Sequence, residues 1–116
     1  MSLRRELLLY VRHRGLLETL LLGLRRRFPS LPVRAINSAT EGPPGSVVVT
    51  TTADCPRAEC ADVAEGGANV VILATFPSDF ERRTYQAAGA AAYIPMTANP
   101  GLIDITSSLV AEQPET

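Results

Sequence analysis

An α/β domain built on a parallel sheet is the fold class this sequence predicts, and three observations predict it. Short apolar or β-branched runs recur at 6–11 (ELLLYV), 47–52 (VVVTTT) and 70–75 (VVILAT), each suited to a strand covered on both faces. Segments of helical character separate them, at 16–28, at Arg57–Glu65 and at 78–88. A length of 116 residues supplies one sizeable core and is too short for a second folded module.

The first strand spans 6–11. Apolar residues at 16, 17, 20, 21, 24 and 28 then repeat at helical spacing, and Arg25, Arg26 and Arg27 favour the negative end of that helix's dipole. Pro29 and Pro32 stop the helix, and 33–36 forms a short second strand. Residues 37–46 (NSATEGPPGS) are rich in turn formers without helical period and read as a loop. The all-β-branched run 47–52 is the strongest strand signal in the chain. After Pro56, Arg57–Glu65 makes two helical turns ahead of Gly66 and Gly67, and the strand 70–75 follows.

Ser78 with Glu81 is a capping box for a helix running to about Ala88, with Gly89 placed to end it. A fifth strand covers 91–95 (AAYIP). Asn99 and Pro100 open a last helix with Leu102, Ile103, Thr106, Leu109 and Val110 on one face. The alternation implies a parallel sheet with helices on both faces. The domain is placed at 4–112; Met1, Ser2 and Leu3 fit a vector-derived start and carry no structural weight, and 113–116 reads as a loose tail.

Composition narrows the function classes. Apolar residues make up 46% and charged residues 20%, so a packed globule is expected over a disordered chain. All eleven basic residues are arginine, and seven of them precede Pro29, which permits a basic face on the first helix. Only Tyr10 and Phe28 lie near those arginines, so no direct nucleic-acid binding is expected. Cys55 and Cys60 are five apart, which fits neither a zinc pair nor a C-x-x-C redox motif; buried or half-buried thiols in a reducing cytoplasm are expected. No apolar stretch is long enough for a bilayer, and Arg12 and Arg14 interrupt any signal-peptide core. A cytoplasmic protein without membrane, metal or cofactor follows from this reading.

Residues 70–109 carry a family likeness. A strand ending near a small hydroxyl position is followed by a helix and then by Ala88, Gly89, Ala90, Ala92, Tyr93, Ile94, Pro95 and Met96, after which Ala98, Pro100 and Ile103 approximate an A-x-P-x-x-L cadence. This pattern resembles the second half of a response-regulator receiver domain, closest to the subgroup that precedes a helix-turn-helix domain. Residues 51–56 (TTADCP) resemble the third strand and its D-x-x-M-P exit, and 8–15 (LLYVRHRG) the first strand and its acidic-pair loop. The resemblance covers almost the whole chain and is specific in the second half. It implies a flavodoxin-like five-stranded sheet of order 2-1-3-4-5 with the site at the strand carboxyl ends. The family's second helix has no counterpart: ten residues separate Ile36 from Val47, enough for an extended strap over the sheet.

Carried onto this chain, the family's phosphoryl-acceptor site is missing its working groups. Phosphoryl transfer to a carboxylate needs acids around Mg²⁺, a nucleophilic Asp, a hydroxyl and a lysine. Arg12 and His13 stand at the acidic pair, Thr52 at the acceptor, Ala74 at the hydroxyl and Met96 at the lysine position. Thr75 falls one residue late, on the other face by strand alternation. A slipped alignment promotes Asp54 to acceptor, on a loop without acidic partners. Tyr93 occupies the family's switch aromatic, where a fixed core or interface tyrosine is the reading without phosphate. His13, the lone histidine, reads as an exposed loop residue. Arg12, His13 and Arg14 with the N–H groups opening the first helix make a candidate anion site, set against a structural use such as pairing with Asp54.

The expected function is a pseudo-receiver: a non-enzymatic, phosphorylation-independent module of a two-component-type transcription regulator. Contact would run through the helix at 78–88 or the last helix, or through the first and last helices of a homodimer, toward a second copy or a downstream DNA-binding domain. On that reading Thr52 is dispensable and charges on the exposed face of the last helix break assembly. Two alternatives stand beside it, a small-anion or metabolite sensor at Arg12, His13 and Arg14, and a degenerate receiver still phosphorylated on Asp54.

Overall fold

The computed structural model describes residues 6–96. Along the chain come β1 (Leu7–Tyr10), α1 (Arg14–Arg27), β2 (Val33–Ala35), a 3₁₀ turn (Ala39–Glu41), β3 (Val47–Thr51), α2 (Arg57–Glu65), β4 (Asn69–Ala74), α3 (Asp79–Ala87) and β5 (Ala92–Pro95). The five strands form one sheet in the order β2-β1-β3-β4-β5, every pair parallel, in register Leu9↔Val49, Val49↔Val71 and Val71↔Ala92. This is the flavodoxin-like order expected from the sequence. The last helix at 99–110, the Ala98-Pro100-Ile103 cadence, the start at 1–3 and the tail at 113–116 lie outside the described residues.

Strand alternation sorts the core into two layers. Leu7, Leu9, Val47, Val49, Val71 and Leu73 face one way, into a cluster with Leu20 and Leu24 of α1. Leu8, Tyr10, Val48, Val70 and Ile72 face the other, against Cys60 and Val63 of α2 and Tyr85 of α3. The handedness of parallel crossovers explains the division. From β1 the chain moves one way along the sheet to β2, whereas from β3 to β4 and β4 to β5 it moves the opposite way, so right-handed connections put α1 on one face and α2 and α3 on the other. With both faces covered, the strands read as continuous apolar runs instead of alternating ones.

The connection from edge strand β2 back to β3 runs over β1 without an α-helix, as expected. One refinement is that the strap is not wholly irregular: Ser38 caps the 3₁₀ turn through Oγ, and buried Ile36 and Ala39 fill the space beside α2 that a helix would otherwise occupy. Gly42 lets the strap lie close, because a Cβ there would stand 2.8 Å from Ser46 Oγ and 3.0 Å from Val48 Cγ2. The strap is pinned by Gly45 N–H donating to the Gly67 carbonyl at 3.0 Å and Ser46 Oγ donating to the Pro43 carbonyl at 2.7 Å.

Helix ends follow the sequence signals with two revisions. α1 starts at Arg14, ahead of the predicted Leu16, because His13 serves as its N-cap: Leu16 N–H donates to His13 Nδ1 at 3.1 Å. Its last turn is tied down by Arg25, whose guanidinium donates twice to the Val33 carbonyl. The Ser78 capping box forms only by half. Glu81 N–H donates to Ser78 Oγ at 3.1 Å, but the return bond runs through a third residue, with Ser78 N–H donating to the Tyr93 hydroxyl and that hydroxyl donating to the Glu81 carboxylate. At the other end Gly89, at φ +105°, closes a Schellman motif, its N–H on the Gln86 carbonyl and Ala90 N–H on the Tyr85 carbonyl.

Candidate functional site

In this topology a site forms at the carboxyl ends of the strands, beside β1, where the direction of connection reverses. β1 delivers Tyr10 to Arg14 there, β3 delivers Thr51 to Cys55, and β4 and β5 end at Ala74 and Pro95. The residues proposed from the sequence therefore lie toward the same carboxyl end of the sheet.

Arg12 and Asp54 come together, though not as the guanidinium–carboxylate pair expected. Arg12 reaches the Asp54 carboxylate through its backbone N–H, at 3.3 Å, while its guanidinium turns back to the Tyr10 hydroxyl at 2.9 Å and over the Tyr10 ring. The hydrogen bond to Tyr10 raises the Arg12 pKa. Asp54 is further held by Thr51: Thr51 Oγ1 donates to Asp54 Oδ2 at 2.8 Å and accepts from Asp54 N–H at 3.0 Å. Its carboxylate is thus a turn-forming group joining the loops after β3 and β1.

The other positions do not converge. Thr52 lies half-buried past the end of β3, its N–H on the Leu73 carbonyl. Ala74 is buried in the layer under α2 and α3, whereas Met96 packs into the opposite layer with α1. Met96 N–H donates to the Ala74 carbonyl at 2.9 Å, so the two are backbone neighbours whose side chains serve different faces. Thr75 is beyond β4 and exposed. His13 is exposed as expected; its Nδ1 accepts from Leu16 N–H to cap α1, which leaves Nε2 as the ring's donor, and the residue does not line the cleft that Arg12 and Arg14 share. Arg12 and Arg14 remain, lining a cleft of about 280 Å³ with Tyr10, Ala35 and Asn37.

Both cysteines are free and fully buried, as expected. Burial pushes the Cys55 thiol up to about 12, and burial also raises Cys60, so neither is a reactive thiolate at neutral pH. Tyr93 is a fixed core residue, stacked on Tyr85 with ring centres 6.0 Å apart and its hydroxyl engaged with Ser78 and Glu81; burial, then the Glu81 contact, raises its pKa.

The sequence reading missed Tyr10, Thr51 and a pair of exposed aromatics, Phe76 and Phe80, 85% and 76% exposed at the entry to α3. A signal for Phe80 was present. Tyr85 and Ala88 mark the core-facing stripe of α3, and Phe80, Thr84 and Ala87 form a second stripe at helical spacing beside it.

Among the described residues no helix is long and apolar enough to cross a membrane. Compared with known proteins, the chain matches no family model, and no curated protein or solved structure is significantly similar to it. The likeness to receivers thus rests on the residues quoted above, and the strand order by itself is shared by many unrelated activities.

Proposed function

We propose that this domain is a phosphorylation-independent regulatory module that works by contact with a protein partner, either a second copy or a downstream DNA-binding domain of a transcription regulator. The observation that carries the reading is the state of Asp54. Its Oδ2 accepts from the Arg12 N–H and the Thr51 hydroxyl, at a strand exit bearing Arg12 and His13 where a receiver needs acids for Mg²⁺. An acid used in this way holds loops together, and the aliphatic Ala74 and Met96 have no donor to offer a phosphoryl group. Incubation with acetyl phosphate and Mg²⁺, followed by intact-mass measurement, tests the proposal. No phosphoryl adduct is expected; an Mg²⁺-dependent adduct lost in Asp54→Asn would overturn it in favour of a degenerate receiver.

A second reading is supported by the cleft holding Arg12 and Arg14. Its volume suits only a small anion. A rise in Tm with small carboxylates or phosphate, absent in Arg14→Ala, would favour an anion sensor over a contact module.

A further inference from the structure

The contact-based reading leaves the docking surface unassigned, and the inference here rests on that reading and supplies the surface. Between α2 and α3, on the outer side of the layer away from α1, lies a groove of about 740 Å³. Ala58 and Ala61 of α2 and Ala87 of α3 line it with small side chains, so a hollow is left where larger residues would have met. Phe80 adds an aromatic ring that is 76% exposed, and among the described residues Arg57 and Arg83 supply the only charges on the lining. Exposed aromatics beside arginines are the side chains that dominate protein interfaces when covered.

The groove is preorganised. The Tyr85 hydroxyl bonds the Cys55 carbonyl at 2.8 Å, which fixes α3 to the entry of α2. At the far end Gly89 lies so close to Ala64 that a Cβ on it would come within 2.8 Å of the Ala64 methyl. Two helices held at both ends keep an open hollow without collapsing, and a rigid surface loses little entropy on binding.

Charge identifies the occupant. Among the described residues the ion pairs are Arg34–Glu6 and Arg82–Asp79; Asp79, the acid at the start of α3, is therefore matched by Arg82, and Arg57 and Arg83 have no carboxylate against them. Both are exposed, and among the described residues no acid lines the groove. A partner that carries carboxylates can meet the two guanidinium forks, and its apolar side chains the hollow between them. Two arginines are too few for a phosphate-backbone footprint, and an alanine-lined hollow suits a side chain better than a base. We infer that the α2–α3 groove docks an acidic amphipathic segment of a partner protein, seating one or two bulky apolar side chains over Ala58, Ala61 and Ala87 with flanking Asp or Glu on Arg57 and Arg83.

The test uses the whole chain and two fluorescein-labelled helical peptides that share a Leu/Phe face, one flanked by glutamates and the other by lysines. Fluorescence anisotropy should show saturable binding of the glutamate peptide and at least about tenfold weaker binding of the lysine peptide. Ala61→Glu, which fills and recharges the hollow, and Arg83→Glu should each weaken the glutamate peptide by about tenfold or more. Circular dichroism confirms that both variants fold, and Arg26→Glu on the opposite face controls for net charge. Equal binding of the two peptides, or affinity unchanged in both groove variants, overturns the proposal. A dimer in sedimentation of the free chain that Ala61→Glu abolishes would mean that a second copy fills the groove and would overturn the acidic-segment assignment. Intact-mass measurement after acetyl phosphate, run on the same samples, separates the two claims, since a phosphoryl adduct sinks phosphorylation independence while the anisotropy still decides the groove.

Discussion

The hydroxyl of Tyr85 donates to the main-chain carbonyl of Cys55 at 2.8 Å, thirty positions away in sequence, in a fully buried contact. It joins the core face of α3 to the turn that launches α2. Removing the donor in Tyr85→Phe leaves that carbonyl buried without its partner, so stability should fall by about 1–3 kcal/mol. Urea unfolding followed by circular dichroism measures it.

Alkaline pH should unfold the protein earlier than its composition suggests. Burial raises Cys55 from 9.0 and Tyr85 from 10.0, both to about 12, and Cys60 and Tyr93 shift the same way. A raised folded pKa means that the native state binds more protons than the unfolded state. The stabilisation is complete below about pH 9 and is lost as pH climbs toward 12, with a slope approaching about 1.4 kcal/mol per pH unit for each such group. Urea midpoints at successive pH values should decline above pH 9, and Cys55→Ala should flatten that decline.

Two glycines predict opposite outcomes on replacement by alanine. Gly89 sits at φ +105° with Ala64 within 2.8 Å of a new Cβ, so Gly89→Ala should destabilise by more than about 1 kcal/mol. Gly23 lies inside α1 with nothing within 4 Å, so Gly23→Ala should stabilise by about 0.5–1 kcal/mol. Thermal melts of the two variants should move in opposite directions.

The Asp54 turn predicts a structural phenotype. Asp54→Ala removes the acceptor for the Arg12 N–H and the Thr51 hydroxyl and should cost about 1–2 kcal/mol. Thr52→Ala, two residues earlier and outside the strand, should stay within about 0.5 kcal/mol of wild type. If Thr52 proved the more sensitive of the two in chemical denaturation, the role given to Asp54 would fall.

Tyr93 should matter to α3 through its hydroxyl alone. Tyr93→Phe keeps the stack on Tyr85 but breaks the relay from Ser78 N–H to Glu81. A loss of about 1 kcal/mol is expected, with faster amide hydrogen exchange confined to the first turn of α3.

Periodicity and punctuation made most of the architecture legible. The β-branched run at Val47–Thr51, the prolines after α1 and the Ser78 and Gly89 signals are local features, and local sterics and hydrogen bonding act on a few adjacent residues. The strand order could be expected from the resemblance, and the continuous apolar strands already required cover on both faces. The helix start at Arg14 escaped notice because a histidine cap depends on which ring nitrogen faces the helix, a matter of rotamer and not of residue type.

The site divided the same way. That Arg12, His13, Thr52, Ala74 and Met96 stand where the resemblance to receivers would put acids, an acceptor, a hydroxyl and a lysine is a statement about residue identity, and sequence alone can make it. How those residues are used was decided by tertiary structure. Strand register sends Ala74 and Met96 to opposite layers, and the close approach of the β1 and β3 exits gives Asp54 to the Arg12 backbone instead of its side chain. The α2–α3 groove belongs wholly to the second kind. Arg57, Ala61, Phe80 and Arg83 are ordinary helix-surface residues in sequence, and they become a common surface only because two right-handed crossovers in the same direction lay their helices side by side.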